Sequence, residues 1–403
     1  MLNRPLASNM ADTLNSTATD WQQQLQQQLS DRRDANLYRR RITVDGPQGR
    51  LLHVEGKQYL SFCNNDYLGL ANHPKIKAAA AQAIETDGFG GGASHLVCGH
   101  NHWHHLAEQK LAQLTGRDRV LLFSTGYMAN LGAINALVGR GDFIFQDKLN
   151  HASLIDGALL SQAKFQRYRH NDLPHLERLL EKTPDTGRKL IVSDGVFSMD
   201  GDLPRLPELA KLAQQHNAIL MVDDAHGFGT IGATGGGIAE QCNLNQQQLP
   251  VLVGTLGKAF GCFGAFVAGS ETVIETLIQQ ARSYIYTTSM PPSTAAAIAQ
   301  SVDLVMEQSW RRDKLQQLIA RFRSGAQQLG LQLMDSNTPI QPILLGDEAT
   351  AIAASEKLKA AGLWVTAIRP PTVPKGTSRL RITFSADHSE ADIDRLLSAL
   401  EKI

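Results

Sequence analysis

The sequence predicts an α/β protein: a mostly parallel sheet flanked by helices, followed by a smaller C-terminal α+β domain. Three observations carry that expectation. Between residues 64 and 290, short apolar runs alternate with helical stretches. This is the pattern of a parallel sheet, whose crossovers are helices that cover both faces. Met290-Pro291-Pro292 then punctuates the chain, because two prolines cannot continue a helix. Beyond it the helical stretches lengthen and the strands become few. A chain of 403 residues has room for about two or three domains. The boundaries fall at 1–60 (tail, helix and strand segment), 61–291 (the large α/β domain) and 292–403 (the smaller domain).

Taken in order, residues 1–20 are polar and lack the apolar core of a signal peptide, so they read as a frayed tail. Trp21, Leu25, Leu29 and Leu37 are spaced along one helical face in a Gln-rich stretch. The spacing predicts an amphipathic helix over 20–40, ending in Arg39-Arg40-Arg41, whose charges complement the helix dipole. Residues 51–54 and 58–62 predict a strand pair split by Glu55-Gly56-Lys57. Helices are expected at 78–86 and 103–114, and apolar strands at 120–123, 142–146, 190–193, 219–223, 251–254 and 264–268. In the last domain, 293–308, 311–329 and 349–361 predict helices, and 341–345, 363–368 and 380–384 predict strands.

Composition excludes several classes. The formal net charge is +0, and 42% of residues are hydrophobic against 19% charged. Nothing in that balance points to nucleic acid or an anionic membrane surface. No run of 18 apolar residues exists, so no membrane span is expected. Cys63, Cys98, Cys242 and Cys262 are far apart and form no Cys-x-x-Cys pair, which suits reduced thiols in a cytoplasmic protein. His100, His102, His104 and His105 crowd one short stretch, but no companion cluster with ligand spacing follows, and no metal is expected there. No Gly-x-x-x-x-Gly-Lys-Ser/Thr loop occurs, and the glycine-rich stretch 229–237 does not match a dinucleotide fingerprint.

The chemistry concentrates at strand ends, where ligands of open α/β sheets bind. Lys258 follows an apolar strand in Gly254-Thr255-Leu256-Gly257-Lys258. Most lysines after a strand are solvated loop charges, but one held among glycines and desolvated becomes a nucleophile. The preceding apolar strand ends in Asp223-Asp224-Ala225-His226. An acid and an imidazole at one strand end, and a lysine after the next, suggest a site for pyridoxal phosphate (PLP). That cofactor needs a lysine for its Schiff base and a carboxylate for its ring nitrogen. Ser124-Thr125-Gly126-Tyr127 joins a strand to a helix, whose free N–H groups suit a phosphate. His151 either stacks on a flat ring or caps the next helix. The acids between Asp194 and Asp202 miss calcium-loop spacing, and Ser198 among them presents a hydroxyl. Arg379 and Arg381 share one side of a strand, where one reaches a carboxylate or both serve a salt-bridged interface.

Together these residues resemble the α-oxoamine synthases, PLP enzymes of fold type I (the aspartate aminotransferase-like fold). The resemblance runs over residues 20–403. It rests on Asn65-Asp66-Tyr67-Leu68-Gly69, Asn150-His151-Ala152-Ser153, Val196-Phe197-Ser198-Met199-Asp200-Gly201, Asp223-Asp224-Ala225-His226-Gly227 and Thr255-Leu256-Gly257-Lys258. It implies that Lys258 carries the cofactor and moves protons, that Asp223 pairs with the ring nitrogen, and that His151 stacks on the ring. His226 and Ser198 would bond the phenolic oxygen, and Gly126, Tyr127 and Thr255 the phosphate. Thr287 and Thr288 would reach the cofactor of a neighbouring subunit, which implies a homodimer. Arg381, Asn65 and Ser94 would hold an amino-acid carboxylate. Ile368-Arg369-Pro370-Pro371-Thr372-Val373-Pro374 and the Arg39 triplet point to the branch that condenses L-alanine with pimeloyl-CoA or a pimeloyl carrier protein. There Arg39 and Arg369 would meet the far carboxylate. Glycine C-acetyltransferase, 5-aminolevulinate synthase and sphingolipid-type synthases share the cofactor residues and are the alternatives. Asp194 and His95 depart from the common pattern, since many relatives carry glutamate at the first position and arginine or glycine at the second.

Overall fold

The computed structural model describes residues 19–35 and 37–403. The tail expected over 1–20 lies, except for Thr19 and Asp20, outside the described residues. The chain divides into two compact units, one ending at Val44 and the other spanning Asp45–Ile403.

The first unit carries a helix, Asp20–Asp34. The Thr19 N–H donates to Gln22 Oε1 at 2.9 Å and caps its start. The expectation that this helix runs to Arg39-Arg40-Arg41 is corrected. It ends at Asp34, where the Leu37 N–H turns back to the Arg32 carbonyl at 2.7 Å and closes the last turn. The arginine triplet therefore lies beyond the helix and complements no dipole. Trp21, Leu25 and Leu29 are all exposed, so the apolar stripe is not covered within this unit.

The second unit opens with a hairpin of β1 (Leu51–Val54) and β2 (Lys57–Ser61). Its turn places Glu55 and Gly56 at φ 52° and 72°, the left-handed pair that matches strand twist. The central sheet then takes β3 (Arg119–Phe123), β4 (Phe143–Asp147), β5 (Lys164–Tyr168), β6 (Lys189–Asp194), β7 (Ala218–Asp223), β8 (Val251–Thr255) and β9 (Ala265–Gly269). Their order is β3-β9-β8-β7-β6-β4-β5, and only β9 runs against its neighbours. Side chains alternate across a strand, and here both faces are apolar. Val120, Phe145, Ile191, Leu220 and Leu252 enter one core, while Leu121, Ile144, Val192, Met221 and Val253 enter a second on the other face. Helices His102–Thr115 and Leu206–Gln215 contribute to the first core, and Gly126–Leu137 and Glu271–Gln280 to the second. Apolar runs do not foretell β5. It is an edge strand, polar and partly exposed, with β4 its one neighbour.

Two small sheets complete the unit, formed with β10 (Ile340–Gly346), β11 (Leu363–Trp364), β12 (Thr366–Ile368) and β13 (Ser378–Thr383). The single strand expected at 363–368 divides at Val365. β11 adds in parallel to β2, whereas β12 joins β13 in an antiparallel sheet of order β10-β13-β12. The register of the central sheet sets Asp194 beside Asp223, and Asp223 beside Val253. The carboxyl ends of β6, β7 and β8 thus bring two acids to one edge, next to the loop that carries Lys258.

Candidate active site

Lys258 stands in a turn tied on both sides. The Leu256 N–H donates to the Gly264 carbonyl at 2.9 Å and the Gly261 N–H to the Lys258 carbonyl at 2.8 Å. Gly261 has φ 63°, and a Cβ there would lie 2.3 Å from the Ala71 nitrogen, so only glycine closes this turn. Part of the Lys258 residue reaches solvent, but its amine is buried. Burial brings it down to about 8, against the opposing pull of Asp223 and Asp194. Its Nζ lies 2.8 Å from Nε2 of His226. Burial, with the charges of Lys258 and Arg381, holds His226 well below the usual imidazole range and keeps it neutral.

Asp223 is buried and faces donors on both oxygens. Oδ2 accepts from Asn130 Nδ2 at 2.6 Å and Oδ1 from the Ala225 N–H at 3.1 Å. Its neighbour Asp194 is pushed well above the usual carboxylate range by burial and by the Asp223 charge, and accepts the His151 N–H at 3.0 Å. Asp224 is also buried, which raises it to about 8, and it accepts the Ile238 N–H at 2.7 Å. His151 does what a capping residue does: Nδ1 accepts from the Ser153 N–H at 3.3 Å and faces the Ser153 hydroxyl at 2.8 Å. It also lines the cavity, so the two readings of His151 are compatible.

The helix Gly126–Leu137 begins directly beyond β3, with Thr125 accepting from the Met128 N–H at 3.2 Å. The N–H groups of its first turn therefore stand at the cavity edge. A Cβ on Gly126 would lie 2.6 Å from Thr255 Cγ2, so the glycine lets the helix start approach the end of β8. The half-exposed Tyr127 ring stands beside it, its hydroxyl bonded to Asp156. On β13 the two arginines divide the tasks offered by the sequence. Arg379 pairs with Asp200 at 2.6 Å and ties β13 to the loop after β6. Arg381 donates from Nε to the Ser198 carbonyl at 2.7 Å and faces Asn65 Oδ1 with both terminal nitrogens at 3.4 Å.

A cavity of about 190 Å³ is lined by Lys258, His226, Asp223, His151, Ser198, Thr255, Gly126 and Tyr127, which the sequence had assembled from five separate motifs. Asn130, Ser153 and Asp194 line it as well. A larger cleft of about 340 Å³, lined in part by Thr230, Asp313 and Arg312, has no comparable set of groups. Arg312 there already donates to the carbonyls of Val305 and Ala233 at 2.6 and 2.7 Å.

Residues 57–400 match the family of class I and II aminotransferases. The 8-amino-7-oxononanoate synthase of Cellvibrio japonicus is 61% identical over 93% of this chain and 94% of its own. That of Saccharophagus degradans is 58% identical over 94% and 96%. The chain belongs to the 8-amino-7-oxononanoate synthase family. A serine palmitoyltransferase variant from S. paucimobilis, solved with a bound PLP–myriocin aldimine, superposes with a TM-score of 0.89 at 31% identity, covering 94% of this chain and 96% of the other. The architecture is thus that of the fold-type-I PLP enzymes.

Not every expected residue of these synthases meets in the cavity. Thr287 is half-buried and Thr288 exposed, and neither lines it. Their segment is held to the Ser94 loop by the Ser289 N–H, which donates to the Ala93 carbonyl at 2.9 Å. Ser94, Asn65, Arg381 and the half-buried Arg369 also stand outside the lining. Arg39 is exposed and lies in the first unit. The reasoning from sequence missed Asn130, Ser153 and Tyr67 as contributors. Asn130 stands four residues after Gly126 on the same helix face, a spacing that could have marked it. In the histidine-rich stretch, His95, His100 and His104 bring ring nitrogens within 4.8 Å of one another. Both nitrogens of His104 are committed, however: one accepts the Asn101 N–H at 2.9 Å and the other donates to the Met290 carbonyl at 2.8 Å. His95 stacks on Tyr284 with ring centroids 4.9 Å apart. Among the described residues no helix is long and apolar enough to cross a membrane.

Proposed function

We propose that the chain uses PLP to condense L-alanine with a pimeloyl thioester, of CoA or of a carrier protein. The products are 8-amino-7-oxononanoate, CO2 and free thiol, in the cytoplasmic synthesis of biotin. The observation that carries this reading is the buried Lys258 amine, placed beside His226 and Asp223 at the ends of adjacent strands in a chain of this family.

The donor set fits the cofactor. An amine lowered to about 8 is in part uncharged near neutral pH and can attack an aldehyde. Asp223, fixed by Asn130 and the Ala225 N–H, presents a carboxylate suited to a protonated ring nitrogen. The first turn of Gly126–Leu137, with Tyr127 and Thr255, offers donors to a phosphate. His151 would lie against the ring, and Ser198 and His226, which line the same cavity, would stand on the side of the phenolic oxygen. When bound, PLP supplies an aldehyde for amine exchange and a ring that withdraws the electron pair left at the amino acid's α-carbon.

The chain's own groups do the rest. Lys258 Nζ, uncharged in part near neutral pH, would accept the α-proton as general base. Arg381 keeps two terminal nitrogens in only long contact with Asn65, so these donors are available to the alanine carboxylate, for which Asn65 and Ser94 are the further candidates. Arg369 and Arg39 are the candidates for the far carboxylate of the pimeloyl chain. Thr287 and Thr288 complete the phosphate site of a neighbouring subunit, so the working unit is a homodimer.

Thiol release tests the reading. The PLP-loaded protein is offered L-alanine, glycine or L-serine, each with pimeloyl-, acetyl-, succinyl- or palmitoyl-CoA, and with pimeloyl carrier protein. Release confined to L-alanine with a pimeloyl donor is expected. Release with another pair would keep the chemistry and replace the substrate, and no release with any pair would reject the reading.

A further inference from the structure

A line of hydrogen bonds runs from Arg381 to Lys258, and its direction follows from the donors alone. A guanidinium can only donate. Asn65 therefore turns Oδ1 towards Arg381, at 3.4 Å from both terminal nitrogens. The same oxygen accepts the Tyr67 hydroxyl hydrogen at 3.0 Å. A phenol has one hydrogen to give, so the Tyr67 oxygen faces His226 Nδ1, 2.6 Å away, as an acceptor. Nδ1 must then carry the imidazole hydrogen. In a neutral ring the other nitrogen is bare, and Nε2 accepts from Lys258 at 2.8 Å. Tyr67 is fully buried, and its aromatic neighbour His226 is nearly so, which leaves water little part in the line.

We propose that Tyr67 is a positioning residue that locks His226 as the Nδ1–H tautomer, drawing a hydrogen of Lys258 onto Nε2 and turning the lysine lone pair into the cavity. This rests on the function proposed above, because a lone pair facing the cavity is what an amine needs to meet an incoming aldehyde. Tyr67 touches neither cofactor nor substrate in this scheme. It acts through His226, and the orientation is set by Arg381, three hydrogen bonds away from the histidine's far nitrogen. The structure thus makes the carboxylate-binding arginine the origin of the polarity felt at the lysine.

The test is nitrogen-15 NMR of the full-length chain with its histidines labelled and PLP removed, the His226 signal being identified by its loss in His226→Gln. The wild-type chain is expected to show a protonated Nδ1 and a bare Nε2. Tyr67→Phe keeps the ring and removes the hydroxyl, and should lose that single tautomer. Asn65→Asp keeps an acceptor in place and should retain it, while Asn65→Leu should lose it, which covers the case in which Tyr67→Phe fails to fold. A protonated Nε2 in the wild-type chain, or an unchanged signal in both Tyr67→Phe and Asn65→Leu, would overturn the proposal. Failure of the PLP reading is seen separately, as no absorbance change when PLP is added to the wild-type chain, and leaves the histidine signal as measured.

Discussion

At the scale of single residues, the chemistry turns on how far Lys258 departs from an ordinary lysine. Burial lowers its amine to about 8, where an exposed lysine stays near 10.4. The uncharged form is the nucleophile, so the rate of PLP capture by the cofactor-free chain should rise with pH and level off above about 8. Stopped-flow absorbance across pH 6 to 10.5 measures the midpoint, and one near 10 would show that the cavity does not desolvate the amine. Lys258, Asp223 and His226 were legible because each stands at the end of an apolar run, next to a glycine or an acid. Asn130 and Tyr67 were not, because what gives them a role is distant in sequence. Asn130 meets Asp223 across 93 positions, and Tyr67 meets His226 across 159. No local pattern marks an amide or a phenol as the partner of a group that far away.

Elements are held at the same sheet edge by side chains that the proposed reaction does not use. His170, after β5, lies between Asp147 at the end of β4 and Asp202, at 3.0 and 2.8 Å. Burial alone would lower its pKa, but hydrogen bonds to the two carboxylates outweigh this and raise it to about 10. In the unfolded chain the value is about 6.5. The stabilisation is therefore complete below pH 6.5 and is lost as pH rises from there towards 10. His170→Gln should destabilise the chain by on the order of 2 kcal/mol at pH 6 and by much less at pH 10. Urea titrations at the two pH values compare them, and an equal loss at both would mean that His170 is not charged in the folded chain. This clamp anchors β5, the strand that apolar periodicity could not find. The division at 363–368 escaped for a related reason: one apolar stretch serves two sheets, and pairing partners rather than periodicity decide where it breaks.

For the whole molecule, alternation of strand and helix was enough to read the central sheet, since burying both faces requires apolar residues at every position of the inner strands. A partner subunit is harder to read, because a surface that another copy would cover carries no periodic signal. Phe89, Val97 and Tyr286 are 71%, 78% and 70% exposed, and Tyr286 directly precedes Thr287 and Thr288. Large apolar side chains left this open suit a surface buried by a second copy. If the threonines serve the neighbouring site, each cavity draws on two chains, and two defective chains can complement each other. Lys258→Ala lacks the nucleophile, whereas Thr287→Ala/Thr288→Ala lacks the phosphate donors. In a mixed dimer both lesions then fall in one cavity and the other is intact. With random pairing, half of the dimers are mixed and each has one working site, so co-expression should restore about a quarter of wild-type activity. If the threonines act within their own chain, every cavity in the mixed dimer carries one lesion and co-expression restores nothing beyond the sum of the two variants.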